Sequence, residues 1–200
     1  MESKEAFTNR CMPWWKSHYN KEKTTRESHY KSFLKRHSIE TNANMIIAEV
    51  GAGPFGGIIE VCKLQAKQKV FIDYIMNELR GLEFIEWPDD AMYINSPAEN
   101  INLPDDYADL LISYNCIDHG WDIEKAIKEC IRVSKKAVLS FDCRADWVDW
   151  KPDESHYQYI YSQNIESLIH EMSLDVRILK RHMEHQYKSS VIELICDKEA

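Results

Sequence analysis

Apolar residues in this chain gather into short runs that alternate between two periods. Met45-Ile46-Ile47-Ala48 predicts a buried strand near 45–50. The stretch Glu49-Val50-Gly51-Ala52-Gly53-Pro54-Phe55-Gly56-Gly57 interrupts it, and Ile58, Ile59, Val61 and Cys62 then fall at helical spacing, predicting a helix over 57–66. Val70-Phe71-Ile72 predicts a second strand over 69–73, and Ile75, Met76 and Leu79 a helix that Gly81 ends. Met92-Tyr93-Ile94 reads as a short third strand. Ala108 to Tyr114 reads as a fourth, apolar enough throughout for burial on both faces. Ile123, Ala126, Ile127, Cys130 and Ile131 recur at i, i+3, i+4, i+7 and i+8, predicting a helix that starts near Trp121 or Asp122. Ala137-Val138-Leu139-Ser140-Phe141 predicts the fifth strand, and Ile165, Leu168, Ile169 and Met172 one more helix. Two β-rich runs, 174–180 and 190–196, close the chain and are expected to pair as an antiparallel hairpin at one sheet edge.

Strands alternating with helices predict an α/β fold with a doubly wound, mostly parallel sheet and helices on both faces. The first forty residues stand apart. Lys16, Lys21, Lys23, Arg26, Lys31, Lys35 and Arg36 are interleaved there with Trp14, Trp15, Tyr19, Tyr30 and Phe33. Residues 1–40 are accordingly expected to form an amphipathic helical arm or lid, with 41–200 as the main domain. Packed against the body, the arm would be structural; over a cleft, it would meet an anionic or ring-bearing substrate.

Composition narrows the partners. At 200 residues and 44% hydrophobic, the chain can bury one full core. A formal charge of −8 disfavours nonspecific attachment to nucleic acid, which draws its affinity from Lys and Arg. No apolar run approaches the roughly 20 residues that span a bilayer. The opening MESKEAFTNR is charged where a signal peptide would be apolar, so a cytoplasmic protein without membrane attachment is expected. The six cysteines include no C-x-x-C pair and read as buried hydrophobes in a reducing compartment, with no metal site expected.

The glycine run after the first strand brings bare backbone amides to the strand tip, the arrangement that receives a nucleotide-like ligand. Asp73, closing the second strand, can accept both hydroxyls of a ribose. Together with Ala98-Glu99, Leu103-Pro104, the run Asp109 to His119 and the helix ending Ile131-Arg132-Val133, these motifs over residues 45–200 resemble the class I S-adenosylmethionine-dependent methyltransferases, in particular their small-molecule branch. The resemblance implies a Rossmann-like sheet of seven strands and S-adenosylmethionine as cofactor. It further implies that the Gly51-Ala52-Gly53 backbone meets the methionine portion and ribose, while Glu49 orders that loop and accepts hydrogen bonds from the cofactor's amino group or from loop amides. Asp73 would grip the sugar, Ser96 and Ala98 would read the adenine beside Glu99, Tyr74 and Ile75 or Pro97 would cover its ring, and Asn115 would face the sulfonium.

In-line methyl transfer asks mainly for placement, and a hydroxyl acceptor also needs a base. His119, beyond the fourth strand, is the candidate base, with a packing or helix-start histidine as the alternative. Asp118, Asp142 and His156 are runners-up. Trp15, Tyr19, His156 and Tyr157 are candidate acceptor contacts. Their aromatic content suits a sugar or another ring, so O-methylation of a carbohydrate or secondary metabolite leads. Gly51, Gly53 and Gly56 also satisfy G-x-G-x-x-G, keeping an NAD(P)-binding protein as an alternative, although Pro54 removes an amide that pyrophosphate would use. A non-catalytic, cofactor-binding partner subunit is the third reading.

Overall fold

The computed structural model describes residues 4–83, 85, 87–144, 162–171, 176–182 and 189–198. Seven strands form one sheet: β1 (Ile46–Val50), β2 (Gln68–Asp73), β3 (Met92–Asn95), β4 (Ala108–Tyr114), β5 (Ser134–Arg144), β6 (Val176–His182) and β7 (Ser189–Asp197). Their spatial order is β3-β2-β1-β4-β5-β7-β6. The first five run parallel, with Glu49 beside Phe71 on one side and Ile112 on the other. β7 lies antiparallel between β5 and β6, so the closing hairpin is present and its second strand is the inner one.

Helices cover both faces, as expected. The amphipathic α4 (Ile123–Arg132) buries Ile123, Ala126, Ile127, Cys130 and Ile131 on one face, where α5 (Ser162–Glu171) adds Ile165, Leu168 and Ile169. Asp122 caps α4, its side chain accepting the Lys125 amide at 3.0 Å. On the other face α1 (Lys4–Arg36) and α2 (Gly57–Val61) bury Tyr30, Phe33, Ile58 and Ile59 against Ile47, Phe71, Leu110 and Ile112. A smaller cluster joins Phe7, Cys11 and Met12 of α1 to Ile75 and Leu79 around α3 (Met76–Arg80). Among the described residues, no helix is long and apolar enough to cross a membrane.

Three expectations are corrected. The helix after the glycines ends at Val61, not near 66, because Lys63 turns left-handed at φ 53°. The Leu64 amide then closes on the Ile59 carbonyl at 2.9 Å and the Lys63 amide on Glu60 at 3.2 Å, a Schellman stop built without glycine. β5 begins at Ser134 rather than Ala137. Its lysines are held at the sheet end by neighbouring acids, Lys135 to Asp109 at 2.8 Å and Lys136 to Asp197 at 3.3 Å. The arm is one 33-residue helix, but its apolar residues do not gather on a single stripe along its whole length.

Candidate functional site

A cavity of about 810 Å³ opens at the carboxyl ends of β1, β2 and β4. It lies where strand order reverses between β1 and β4, the crevice at which open α/β sheets take ligands. Gly51, Ala52 and Gly53 line it from the tip of β1, and Asp73, Tyr74 and Ile75 from the tip of β2. Ser96 to Glu99 come from beyond β3, and Asn115 and His119 from beyond β4.

The glycine turn is shaped by close approach. Gly51 sits at φ 76°, and a Cβ there would land on Cys116 Cβ and Sγ. Only glycine therefore lets the first and fourth strand tips close together at this level. Asp73 accepts the Gly53 amide at 3.2 Å and the Ile75 amide at 3.1 Å, which ties the β2 tip to that turn. Burial pushes its carboxyl above the ordinary range, against the pull of these two amides. Burial likewise pushes the Cys116 thiol well up, so it remains a neutral wall of the cavity.

Glu49 finds its partners among the backbone amides that follow the glycine turn. It does not line the cavity. Fully enclosed behind the turn, it accepts the Ile58 amide at 2.7 Å and the Ile59 amide at 3.0 Å, capping the first turn of α2. Glu99 does line the cavity, but its carboxylate is engaged by the backbone amides of Trp121 at 2.6 Å and Asp122 at 3.2 Å. It pins the segment after β4 to the turn after β3. Asn115 follows the end of β4 at φ 52°, exposed on the cavity, with its backbone amide donating to the Ser140 carbonyl at 2.7 Å. Tyr74 stands between Phe7 and Trp121 in edge contacts of 5.7 and 4.9 Å.

Ser96 Oγ is buried on the cavity wall without a hydrogen-bond partner. A buried hydroxyl in that state calls for a polar ligand. Together with the Asp73 carboxylate and the side-chain-free turn at Gly51, it fits a ribose- and base-bearing cofactor. Asp118 is buried and accepts the Asp142 backbone amide at 3.4 Å, and neither Asp118 nor Asp142 lines the cavity.

The cavity is covered by α1. Trp15 lines it, its ring 3.7 Å from where a Cβ on Gly53 would stand. Tyr19 lies in the same helix, with its side chain outside the described residues, as His156 and Tyr157 are altogether. Arg26 and Tyr30, among the arm residues expected to meet an anionic or ring-bearing substrate over a cleft, line the cavity, and so does Tyr114, read from the sequence only as part of the fourth strand. The recurrence of Phe7, Cys11 and Trp15 every four residues, and of Arg26 and Tyr30 at the same interval, was the available signal.

Residues 48–139 match the family described as a methyltransferase domain. No curated protein sequence matches the chain significantly. Among solved structures, a putative methyltransferase from Bacillus halodurans superposes with a TM-score of 0.65 at 13% identity, over 86% of this chain and 100% of that one. The putative methyltransferase in complex with the Trm112 methyltransferase activator of Haloferax volcanii gives 0.68 at 11% identity, over 94% and 97%. A phosphoethanolamine N-methyltransferase of Haemonchus contortus, bound to S-adenosylhomocysteine, gives 0.63 at 13% identity, over 86% of this chain and 53% of that one. The chain shares the Rossmann-like α/β fold of these solved methyltransferase structures, and its residues 48–139 match the methyltransferase-domain family.

Proposed function

We propose that this protein transfers a methyl group from S-adenosylmethionine to a small-molecule acceptor, by O-methylation of a carbohydrate or secondary metabolite. The observation that carries this reading is the convergence of the Gly51–Gly53 turn, the Asp73 carboxylate and the partnerless Ser96 hydroxyl on one cavity. Asp73 would hold the ribose, Ser96 and the Ala98 backbone the adenine, and Gly51 to Gly53 the methionine portion. When bound, the cofactor supplies a methyl group already activated on a sulfonium.

The protein's own work is placement and proton removal. A volume near 810 Å³ stands in the upper part of the roughly 300–1,000 Å³ range of small-molecule sites, which leaves space for an acceptor beside the cofactor. Residues 4–36 serve as a lid that shields the reacting groups from water. His119, lining the cavity just past β4, takes the proton from an acceptor hydroxyl. Trp15 offers that acceptor a ring face, and the protein acts in the cytoplasm on a diffusible compound.

Calorimetric titration with S-adenosylhomocysteine and, separately, NAD tests the cofactor. Binding of the first alone is expected. Binding of NAD alone would refute methyl transfer, and silence for both would favour a scaffold. An acceptor panel read by mass spectrometry for S-adenosylhomocysteine then tests turnover.

A further inference from the structure

The inner face of the lid holds a cation against an aromatic wall. Arg26 lines the cavity, and among the described lining residues it is the one side chain with a permanent positive charge. Its guanidinium lies over the Trp15 ring at 5.4 Å, three helical turns away on the same face of α1. Its Nη1 donates to the Tyr30 hydroxyl at 3.5 Å.

Tyr30 in turn packs edge-on against Tyr114 at 5.4 Å. Tyr114 is the last residue of β4, next to Asn115, where the methyl group would be delivered. The chain of contacts therefore links the guanidinium to the reacting end of the cavity rather than to the adenine end. Burial pushes the Tyr30 phenol up to about 12, so it stays protonated and can donate at any physiological pH. The acids on the wall, Asp73 and Glu99, each already accept two backbone amides.

A guanidinium presents its N–H donors in a fork that matches a carboxylate or phosphate, and the adjoining phenol adds an O–H. Trp15 supplies a flat apolar surface beside them. From this grouping we infer that the acceptor carries an oxyanion, a carboxylate or phosphate on a ring-bearing compound, which Arg26 and Tyr30 seat against Trp15. This inference rests on the methyltransferase reading and specifies its substrate class.

The test titrates phenyl phosphate, benzoate and neutral phenol into the full-length protein saturated with S-adenosylhomocysteine. The wild type is expected to bind at least one of the two anions about tenfold or more tightly than phenol, as a charge-assisted pair requires. Arg26→Met is expected to lose that preference and Arg26→Lys to keep part of it, each with unchanged affinity for S-adenosylhomocysteine. Equal binding of phenol and the anions, or anion binding that survives in Arg26→Met, would overturn the inference. So would an Arg26→Met protein that binds S-adenosylhomocysteine weakly but 5′-methylthioadenosine normally, because the guanidinium would then serve the cofactor's own carboxylate. Anion capture through Arg26 in a protein that ignores S-adenosylhomocysteine would keep the subsite and refute the cofactor reading instead.

Discussion

The carboxylate of Glu49 occupies the space that a Cβ on Gly57 would need, and both of its oxygens are held by the amides that follow, Ile58 at 2.7 Å and Ile59 at 3.0 Å. Gly57 is also left-handed, at φ 55°. Glu49 and Gly57 thus form one unit that fastens the start of α2 to the tip of β1. Gly57→Ala should lower stability by about 2–4 kcal/mol, combining backbone strain with overpacking. A urea midpoint equal to wild type would show that the turn has another way to close.

The same enclosure makes Glu49 a source of pH dependence. Burial pushes its pKa from an ordinary 4.5 up to about 8, with the Ile59 and Ile58 amides pulling the other way. The folded protein then holds a proton that the unfolded chain releases. This group's contribution is full below about pH 4.5 and is lost as pH rises through about 8. Glu49→Gln stays neutral and should lose no such contribution. From pH 5 to 9 the stability difference should move in the variant's favour by on the order of a few kcal/mol. Urea curves for the two proteins that stay parallel across that range would mean Glu49 is ionised in the fold.

Asp73 combines two duties, holding the Gly53 and Ile75 amides and presenting its carboxylate to the cavity. Asp73→Ala should weaken S-adenosylhomocysteine binding by about 2 kcal/mol, the value of charge-assisted bonds to two hydroxyls. Calorimetry reads this directly. An unchanged dissociation constant would mean that the sugar lies elsewhere.

His119 separates binding from chemistry. Replacing it with Gln or Ala should lower kcat by about 10²- to 10⁴-fold and leave S-adenosylhomocysteine affinity unchanged. Full activity would reduce His119 to a packing residue at the end of its short 3-10 turn, Ile117–His119.

The lid is anchored at its far end by charge. Arg36 meets the enclosed Glu193 twice, Nη2 to Oε1 at 2.5 Å and Nε to Oε2 at 3.0 Å, and His37 Nε2 stands 3.0 Å from Oε2. Glu193→Ala would leave Arg36 without its counter-charge beside β7. Because Arg36 is partly exposed, the loss should be about 2–3 kcal/mol rather than the 3–5 of a fully buried pair. Urea unfolding gives the magnitude, and hydrogen exchange should show faster opening of α1. If neither changes, α1 is held by its apolar contacts, Tyr30 and Phe33 among them, rather than by this ion pair.

Local pattern was enough for most of the frame. The 3.6-residue recurrence through Ile131 and the unbroken apolar run from Ala108 reflect burial on known faces, so α4 and β4 were legible to within a residue. The glycine turn and Asp73 were legible too, because parallel strands put their tips on one edge and the intervening lengths allow little else. Endings that depend on a non-glycine residue adopting the left-handed region, as Lys63 and Ser38 do, carry no compositional mark and were not.

The sequence by itself determined the α/β order, the doubly wound sheet and the strand tips at which a cofactor would be received, since periodicity and turn chemistry are properties of neighbours along the chain. Tertiary structure alone decided that Glu49 caps a helix nine residues on. It also decided that Cys116 closes on Gly51, and that Arg26 comes to rest over Trp15 inside the cavity. Each of these depends on how elements separated in sequence pack together, and the enthalpy of such contacts is settled by three-dimensional fit and burial, which no one-dimensional spacing records.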